Sequence, residues 1–496
     1  MREDPPVNEP ATTTGPAPRG SAGEVFRAFL KLGLTSFGGP IAHLGFFRDE
    51  LVTRRRWVRE SEYADLVALG QFLPGPASSQ VGFALGLFRA GPLGALAAWI
   101  AFTLPSAILL VAFAYGATLF DNAIGAGVLA GLKVVAVAIV AQAVWGMART
   151  LTPDARRASI AVVAAILVLF VAGPVGQVGA IVLGALAGYL LCRDAPAGLP
   201  TSAPVRKPAS PTAAEPAEAE DSPATGLATD STARRAEGPA GSGALRIPVS
   251  RRAGVVALSL FAALLVALPA AAAALGTPPS TSSAANAGNG SVTSAANTSA
   301  AGTTSPGSTA PSSTAPGSTA IHVADSFYRA GALVFGGGHV VLPLLQSEVV
   351  TGNPAGWVTP DAFLAGYGAA QAVPGPLFTF AAYLGALAEP GPAGLVTAAI
   401  ALVAVFLPGL LLLVGVLPFW NTFRTKRPAQ AIMRGANAAV VGILAAALYD
   451  PVFVTAIVDP ATFALALVCF ALLVSWRTPP WVVVLVGAAG GALLAA

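Results

Sequence analysis

The tripeptide Pro-Gly-Pro occurs twice inside long apolar stretches, at residues 74–76 and 374–376, about 300 residues apart. Proline removes a backbone donor and clashes with the preceding helical turn, whereas glycine tolerates unusual dihedral angles. Each tripeptide therefore predicts that one helix ends there and another begins. Because a new helix starts with unpaired N–H groups and about half a positive charge, each start is suited to binding an anion.

A second pair of breaks precedes the first, at the Phe-Gly-Gly runs 37–39 and 335–337. Four helix starts could together surround one oxyanion near the middle of the membrane, whereas the alternative is that all four are packing kinks. The predicted binding residues are Lys31, Gly38, Gly39, Pro40, His43, Gln71, Pro74, Gly75, Pro76, Ser78, Ser79, Gln80, Gly336, Gly337, Gly338, His339, Gln371, Pro374, Gly375, Pro376 and Thr379.

Few charged residues fall inside the apolar segments, and Lys31 and Lys133 are the main candidates for a role. A buried cation is costly unless it is paired or faces water, so these lysines suggest an anion path. Arg27 and other cations near segment ends can instead extend to the interface. Glu50 and Glu348 could either couple protons or form simple salt bridges with nearby arginines.

Composition places most of the chain in lipid. The 496 residues are 55% hydrophobic and 10% charged, against about 25% charged in soluble domains. Basic residues cluster in loops, which is typical of membrane edges and not of a nucleic-acid-binding face. Cys192 and Cys469 lack partner spacing, and no clustered ligands or nucleophile–base pair is found. The sequence thus predicts no enzyme, catalytic residue, metal or cofactor.

We predict an all-α polytopic membrane protein made of two inverted-topology repeats with broken or re-entrant helices, plus one linking transmembrane helix. Each repeat contains about six membrane elements. The predicted segments are a polar tail (1–23), an N-terminal membrane repeat (24–192), a disordered basic linker (193–250), the linking helix (251–276), a Ser/Thr/Ala-rich tether (277–322) and a C-terminal membrane repeat (323–496).

The two halves match at residues other than glycine and proline. Trp57 corresponds to Trp357 and Glu50 to Glu348, at a nearly constant offset. Chance similarity of Ala/Gly-rich helices would not align tryptophan and glutamate, so duplication is favoured. Even numbers of crossings with one helix between them would place the halves in opposite orientations, the arrangement used for alternating access.

The distribution of basic residues predicts a cytoplasmic N-terminus and an external C-terminus. The polar N-terminal segment has no signal-peptide core, which predicts an integral protein of the inner membrane. One loop conflicts with this topology, because the arginines of residues 48–59 would lie outside if residues 24–47 crossed fully. Re-entrant elements remove the conflict. Thirteen crossings, and nine crossings with four re-entrant elements, therefore both remain open.

The run 37–45, followed by Arg48, Glu50, Arg55, Trp57, Gln71 and residues 74–80, resembles the signature of the chromate ion transporter family. Residues 335–339 and 371–379 resemble its C-terminal domain, so the chain looks like a long-chain, two-domain member. The resemblance implies efflux of chromate and chromate resistance, with sulfate as a close analogue. Ser79 stands where the family usually has threonine, and the tether is unusually long.

Electrostatics favours the outward direction for such a substrate. A departing dianion gains roughly twice the 2.3 kcal/mol that one charge gains through 100 mV, so export needs no ATP. The alternative is an uptake carrier for sulfate or another tetrahedral oxyanion, which would need a coupled cation. The expected partners are a chromate- or sulfate-like oxyanion and the lipid bilayer, with no nucleic acid; a homodimer remains open.

Overall fold

A computed structural model describes residues 20–116, 122–171, 173–193, 248–275, 316–335, 338–350, 356–423 and 426–495. These residues form helices and their connections, with no β-strand among them. Most of the predicted tail, linker and tether lies outside the described residues, as do Gly336 and Gly337.

The described residues of the first half form seven α-helices, and a π-helical segment, Arg48–Arg54, follows the second of them. Helix α4 contains a sharp reversal at Ala90 and Gly91, which divides it into two arms. The helices are α1 (Ala22–Thr35), α2 (Gly39–Phe47), α3 (Glu60–Phe72), α4 (Ala77–Gly116), α5 (Ala123–Leu151), α6 (Ala155–Phe170) and α7 (Pro174–Leu191).

After helix α8 (Arg251–Leu275), the second half repeats the pattern, with short 3-10 turns at Gly338–Val340 and Leu377–Thr379. Its helices are α9 (Pro316–Leu333), α10 (Val341–Val349), α11 (Pro360–Ala372), α12 (Phe380–Ala386), α13 (Ala393–Val416), α14 (Trp420–Phe423), α15 (Arg427–Ala447), α16 (Val454–Ala456), α17 (Pro460–Val474) and α18 (Pro480–Ala495).

Several helices are long and apolar enough to cross a bilayer, which needs about 20 residues. Large apolar side chains such as Phe170, Val266 and Leu493 are also exposed on the helix surfaces, where only lipid would cover them without cost. The prediction of an all-α polytopic membrane protein is confirmed. Five helices among the described residues are long and apolar enough to span a membrane: Ala77–Gly116, Ala123–Leu151, Arg251–Leu275, Ala393–Phe419 and Arg427–Ala456.

The helices break where the glycines and prolines predict. Helix α1 ends at Thr35, and α2 begins at Gly39 with a proline in its first turn. The φ angles of Gly38, Gly75 and Gly375 are 98°, 117° and 107°, in the region that side chains with a Cβ atom rarely adopt. These three positions therefore favour glycine, and the prolines that flank Gly75 and Gly375 prevent a continuous helix there.

Both interrupted elements of the first half begin and end at one edge of the molecule. Glu24, in the first turn of α1, accepts hydrogen bonds from the Trp57 indole (3.2 Å) and the Arg89 guanidinium (3.1 Å). Trp57 directly precedes α3, and Arg89 ends the first arm of α4. That arm has about 14 residues and spans about 21 Å, less than the hydrocarbon core. These contacts favour the re-entrant interpretation.

The second half shows the same arrangement. The Tyr383 hydroxyl, near the end of α12, donates to the Ala362 carbonyl at the start of α11 over 3.0 Å. The Trp357 indole donates to the Leu384 carbonyl over 3.1 Å. The element that is broken at residues 374–376 therefore returns to the edge from which it starts.

Close helix contacts join the two halves into one body. Helix α5 of the first half meets α18 of the second at Gly131 and Gly487, where a Cβ on Gly131 would stand 2.1 Å from the Gly487 carbonyl oxygen. Helices α7 and α15 meet similarly at Gly188 and Gly435. Small residues let helix backbones approach in lipid, where hydrophobicity does not drive association.

Candidate functional site

The two Pro-Gly-Pro breaks bind the opposite half in a reciprocal way. The N–H of Gly75 donates to the Val334 carbonyl over 2.7 Å, and the N–H of Gly375 donates to the Ser36 carbonyl over 3.0 Å. Val334 and Ser36 are equivalent residues, since each directly precedes a Phe-Gly-Gly run. A contact in which i meets j and j meets i is what a two-fold relation produces.

A second reciprocal contact surrounds the first. A Cβ atom on Gly75 would stand 2.9 Å from the Gly409 Cα atom, and one on Gly375 would stand 2.8 Å from the Ser106 hydroxyl. Gly409 and Ser106 each follow a Leu-Pro pair at equivalent positions. The buried Gln80 amide donates to the carbonyls of Pro74 (2.8 Å) and Gly409 (2.9 Å), so this side chain fixes the first break in place.

All four helix starts lie together. The His43 Nδ1 atom of α2 is 3.4 Å from the Ser78 hydroxyl of α4, which joins the two starts of the first half. A Cβ on Gly338 would stand 3.2 Å from the Pro40 Cγ atom and 3.8 Å from Leu377, which joins the second half to the first. The partial positive ends of four short helices thus converge at the interface between the halves.

Buried hydrogen-bonding groups around these starts have no partner among the described residues. They include the hydroxyls of Ser36 and Ser79, the His43 Nε2 atom and the Gln371 amide nitrogen. When the Ser78 hydroxyl donates to Nδ1 of His43, a neutral imidazole carries its proton on Nε2 and can donate there. An unsatisfied buried donor costs about 1–3 kcal/mol. Unpartnered donors on residues that border the breaks are compatible with a bound acceptor there, and an oxyanion supplies acceptor oxygens in every direction.

Other predicted site residues have partners of their own. The Thr379 hydroxyl donates to the Pro376 carbonyl over 2.7 Å. The His339 Nδ1 atom is 2.8 Å from the Tyr367 hydroxyl. Gln71 is exposed at the end of α3, whereas its counterpart Gln371 is half-buried. Among the described residues, the structure therefore brings Gly75, Gly338 and Gly375 together with Pro40 and Ser78, but it leaves Gln71 exposed at the end of α3.

The two lysines lie in ion pairs and not at the breaks. The Lys31 ammonium is 3.7 Å from Glu50, and 59% of its side chain is exposed. The Lys133 ammonium is 2.7 Å from Asp361 at the start of α11. Sequence reasoning did not identify Asp361 as a partner. It also missed Ser36, although its position directly before the Phe-Gly-Gly run could have indicated it.

Glu50 is the centre of a cationic cluster at the edge where the first-half elements return. It accepts hydrogen bonds from Arg54 and Arg55, and Lys31 lies within ion-pair distance. Partial burial alone would raise the pKa of Glu50, but the two arginine hydrogen bonds and the nearby positive charges lower it to about 2. The carboxylate therefore stays ionised throughout the physiological pH range.

This pKa shift predicts an acid-labile contribution to stability. Because the pKa is depressed, the ion pairs stabilise the folded protein fully above the ordinary value of 4.5, and this contribution is lost as the pH falls towards about 2. We expect Glu50→Gln to reduce the loss of thermal stability over that interval, measured by Trp fluorescence in detergent. Asp49→Asn, at an exposed neighbour, is the control; equal acid slopes for the wild type and both variants would contradict the assignment.

The comparison with known families decides the identity. The model of the family described as "Chromate transporter" matches residues 23–189 and 321–492, which together contain all four breaks. The chain belongs to the chromate transporter family. Both matched regions begin at the first helix of a half, so the family unit occurs twice in this chain.

Individual relatives agree with this assignment. The chain is 27% identical over 491 residues to the chromate transport protein of Pseudomonas aeruginosa, covering 97% of this chain and 94% of that protein. It is 41% identical over 105 residues to a probable chromate transport protein of Synechococcus elongatus, covering 21% and 27% of the two chains. A chromate transport protein of Cupriavidus metallidurans is 31% identical over 118 residues, 24% and 29% of the chains. No solved structure matches the chain.

Proposed function

We propose that this protein exports chromate from the cytoplasm across the inner membrane and thereby confers chromate resistance. The observation that carries the proposal is the convergence of four helix starts on buried donors that lack partners. Chromate is a tetrahedral dianion whose oxygens accept hydrogen bonds, so it matches a site built from backbone N–H groups and neutral side chains.

The nature of the donors supports transport and not permanent binding. Ser36, Ser79, His43 and Gln371 are neutral donors, so their hydrogen bonds to a dianion lack the additional attraction of an opposite formal charge that a lysine or arginine would supply. A dianion held in this way can leave again, whereas salt bridges to lysine or arginine would hold it more tightly. The predicted substrate-binding residues at the breaks are proposed to act through this site.

Alternating access follows from the proposed inverted repeats. The reciprocal bonds of Gly75 and Gly375 join the two halves at the breaks, which supports a proposed site at their interface that rocking of one half against the other would expose to each side in turn. With the N-terminus inside and the C-terminus outside, the basic loop around Glu50 faces the cytoplasm and attracts anions there. The inside-negative potential then drives the dianion outward, alone or with a coupled ion.

The proposal is tested by chromate accumulation in a chromate-sensitive bacterial strain. Cells that express the chain should accumulate less radiolabelled chromate and grow at higher chromate concentrations than cells with an empty vector. Excess sulfate should reduce the difference if the site accepts both tetrahedral anions. Increased accumulation of chromate or sulfate would contradict export and favour the alternative, an uptake carrier for sulfate or another tetrahedral oxyanion.

A further inference from the structure

A buried ion-pair cluster in the second half contains more acid than base. The Arg329 guanidinium of α9 is 2.9 Å from Asp325 on the same helix and 2.9 Å from Glu348 at the end of α10. The two carboxylate side chains are only 7% and 9% exposed. Two carboxylates thus share one guanidinium, and with both ionised the cluster carries a net negative charge.

The equivalent cluster of the first half has the opposite balance. Lys31 corresponds to Arg329 and Glu50 to Glu348, but Glu50 also has Arg54 and Arg55 as partners. The position of Asp325 is occupied in the first half by Arg27. In the first half, one carboxylate is therefore surrounded by several cations. At the equivalent place in the second half, two carboxylates share a single guanidinium.

The elements that pack against α9 supply little further charge. They are mainly α8, α10 and α13. Helix α10, which carries Glu348, also packs against α7, α15 and the Gly338–Val340 turn, whose ionisable residues are Tyr189, Arg427, Arg434 and His339. Helix α13 contains no ionisable residue, α10 contributes only Glu348, and α8 carries only Arg251 and Arg252 in its first turn. On α9 itself, His322 lies one turn before Asp325 and interacts electrostatically with its carboxylate. Among the described residues of these helices, Arg329 is thus the cation that directly contacts both carboxylates.

We infer that the Asp325–Arg329–Glu348 cluster is a proton-binding site whose occupancy is coupled to anion transport, an inference that rests on the proposed function. Two carboxylates in one buried site repel each other, and a bound proton removes this repulsion. Glu50 cannot act in this way because its cations keep it ionised.

The cluster is placed to couple the proton to the oxyanion site. Arg329 connects α9 to Glu348 of α10 across the break that follows Val334, whose carbonyl accepts the bond from Gly75. When a hydronium ion protonates Glu348, one of its O–H bonds breaks as the carboxyl O–H bond forms, and a water molecule is left. The carboxylate charge disappears and the ion pair across the break is lost. Arg329 then keeps Asp325 as its partner, and α10 is free to move. Release of the proton to water restores the pair.

The test uses the full-length protein in liposomes, with radiolabelled chromate and a trapped pH-sensitive dye measured together. The wild type should move protons against the chromate flux. Glu348→Gln and Asp325→Asn should still carry chromate down its gradient, but their proton flux should fall to that of protein-free liposomes. Glu50→Gln, the matched control at the equivalent position, should keep the wild-type ratio of protons to chromate.

A wild-type chromate flux without proton movement would overturn the inference, as would an unchanged ratio in both second-half variants. Absence of chromate flux in the wild type would instead overturn the proposed function. In that case the proton site is measured directly, by infrared difference spectra between about pH 8 and about pH 5. A protonated-carboxyl band that disappears in both variants supports the site, and a band that persists in both overturns it.

Discussion

Replacing Gly75 or Gly375 with alanine is expected to abolish chromate resistance. Both residues have left-handed φ angles, 117° and 107°, which cost a residue with a Cβ atom about 1–2 kcal/mol. The added methyl group on Gly75 would also stand 2.9 Å from the Gly409 Cα atom, and that backbone must move to admit it. The displacement would separate the Gly75 N–H from the Val334 carbonyl and move the helix starts apart.

Two further glycines separate this effect from general damage. Gly391 has a φ angle of 65° but no atom within 4 Å of its Cβ position, so Gly391→Ala introduces strain without a clash. Gly45→Ala introduces neither. We expect both controls to retain most of the resistance when membrane levels are matched by immunoblot. Two results would disprove the importance of the reciprocal contact. One is that Gly75→Ala exports chromate as the wild type does, and the other is that Gly391→Ala loses as much activity as Gly75→Ala.

Removing a buried hydrogen-bond donor that has no partner should stabilise the anion-free protein and weaken its binding of chromate. The hydroxyl of Ser79 and the amide nitrogen of Gln371 are buried without partners, at a cost of about 1–3 kcal/mol each. We expect Ser79→Ala and Gln371→Leu to raise the melting temperature of the anion-free protein. Each variant should also bind chromate about 10- to 150-fold more weakly, since a hydrogen bond to a charged ligand contributes about 1.5–3 kcal/mol.

A satisfied hydroxyl provides the control for this pair. The buried Ser347 hydroxyl donates to the Leu344 carbonyl over 2.8 Å, so Ser347→Ala should lower the melting temperature and leave chromate affinity unchanged. Thermal unfolding in detergent and equilibrium binding of labelled chromate give both quantities. If Ser79→Ala behaved like Ser347→Ala in both measurements, the interpretation of the unpartnered donors as ligand contacts would be wrong.

The positions of the helix breaks could be read from the sequence because they have local causes. The prolines at 74, 76, 374 and 376 cannot continue a helix, and Gly38, Gly75 and Gly375 adopt backbone angles that glycine alone reaches easily. Long apolar segments likewise predicted the all-α membrane architecture. One boundary differed by a few residues: helix α9 begins at Pro316, inside the predicted tether (277–322), because helix ends are less strongly determined by local sequence than helix interiors are.

The contacts between the halves could not be predicted in the same way. The bond from Gly75 to Val334 joins residues far apart in the chain, and it depends on how two complete repeats pack. The same limit explains the lysines: composition indicated that Lys133 needs a partner, but only the fold brings Asp361 within 2.7 Å. Sequence periodicity identifies the apolar face of a single helix but does not indicate which other helix packs against that face.

The central claim is that four interrupted helices bind the oxyanion together, and locating chromium in the purified protein tests it most directly. Crystals grown with chromate would show the metal by its anomalous scattering. We expect a chromium peak between the helix starts that follow Gly38, Gly75, Gly337 and Gly375, at a distance that brings the chromate oxygens within hydrogen-bonding reach of their N–H groups and of the Ser79 hydroxyl. A peak confined to the cationic cluster around Lys31 and Arg55, with none at the breaks, would contradict the account.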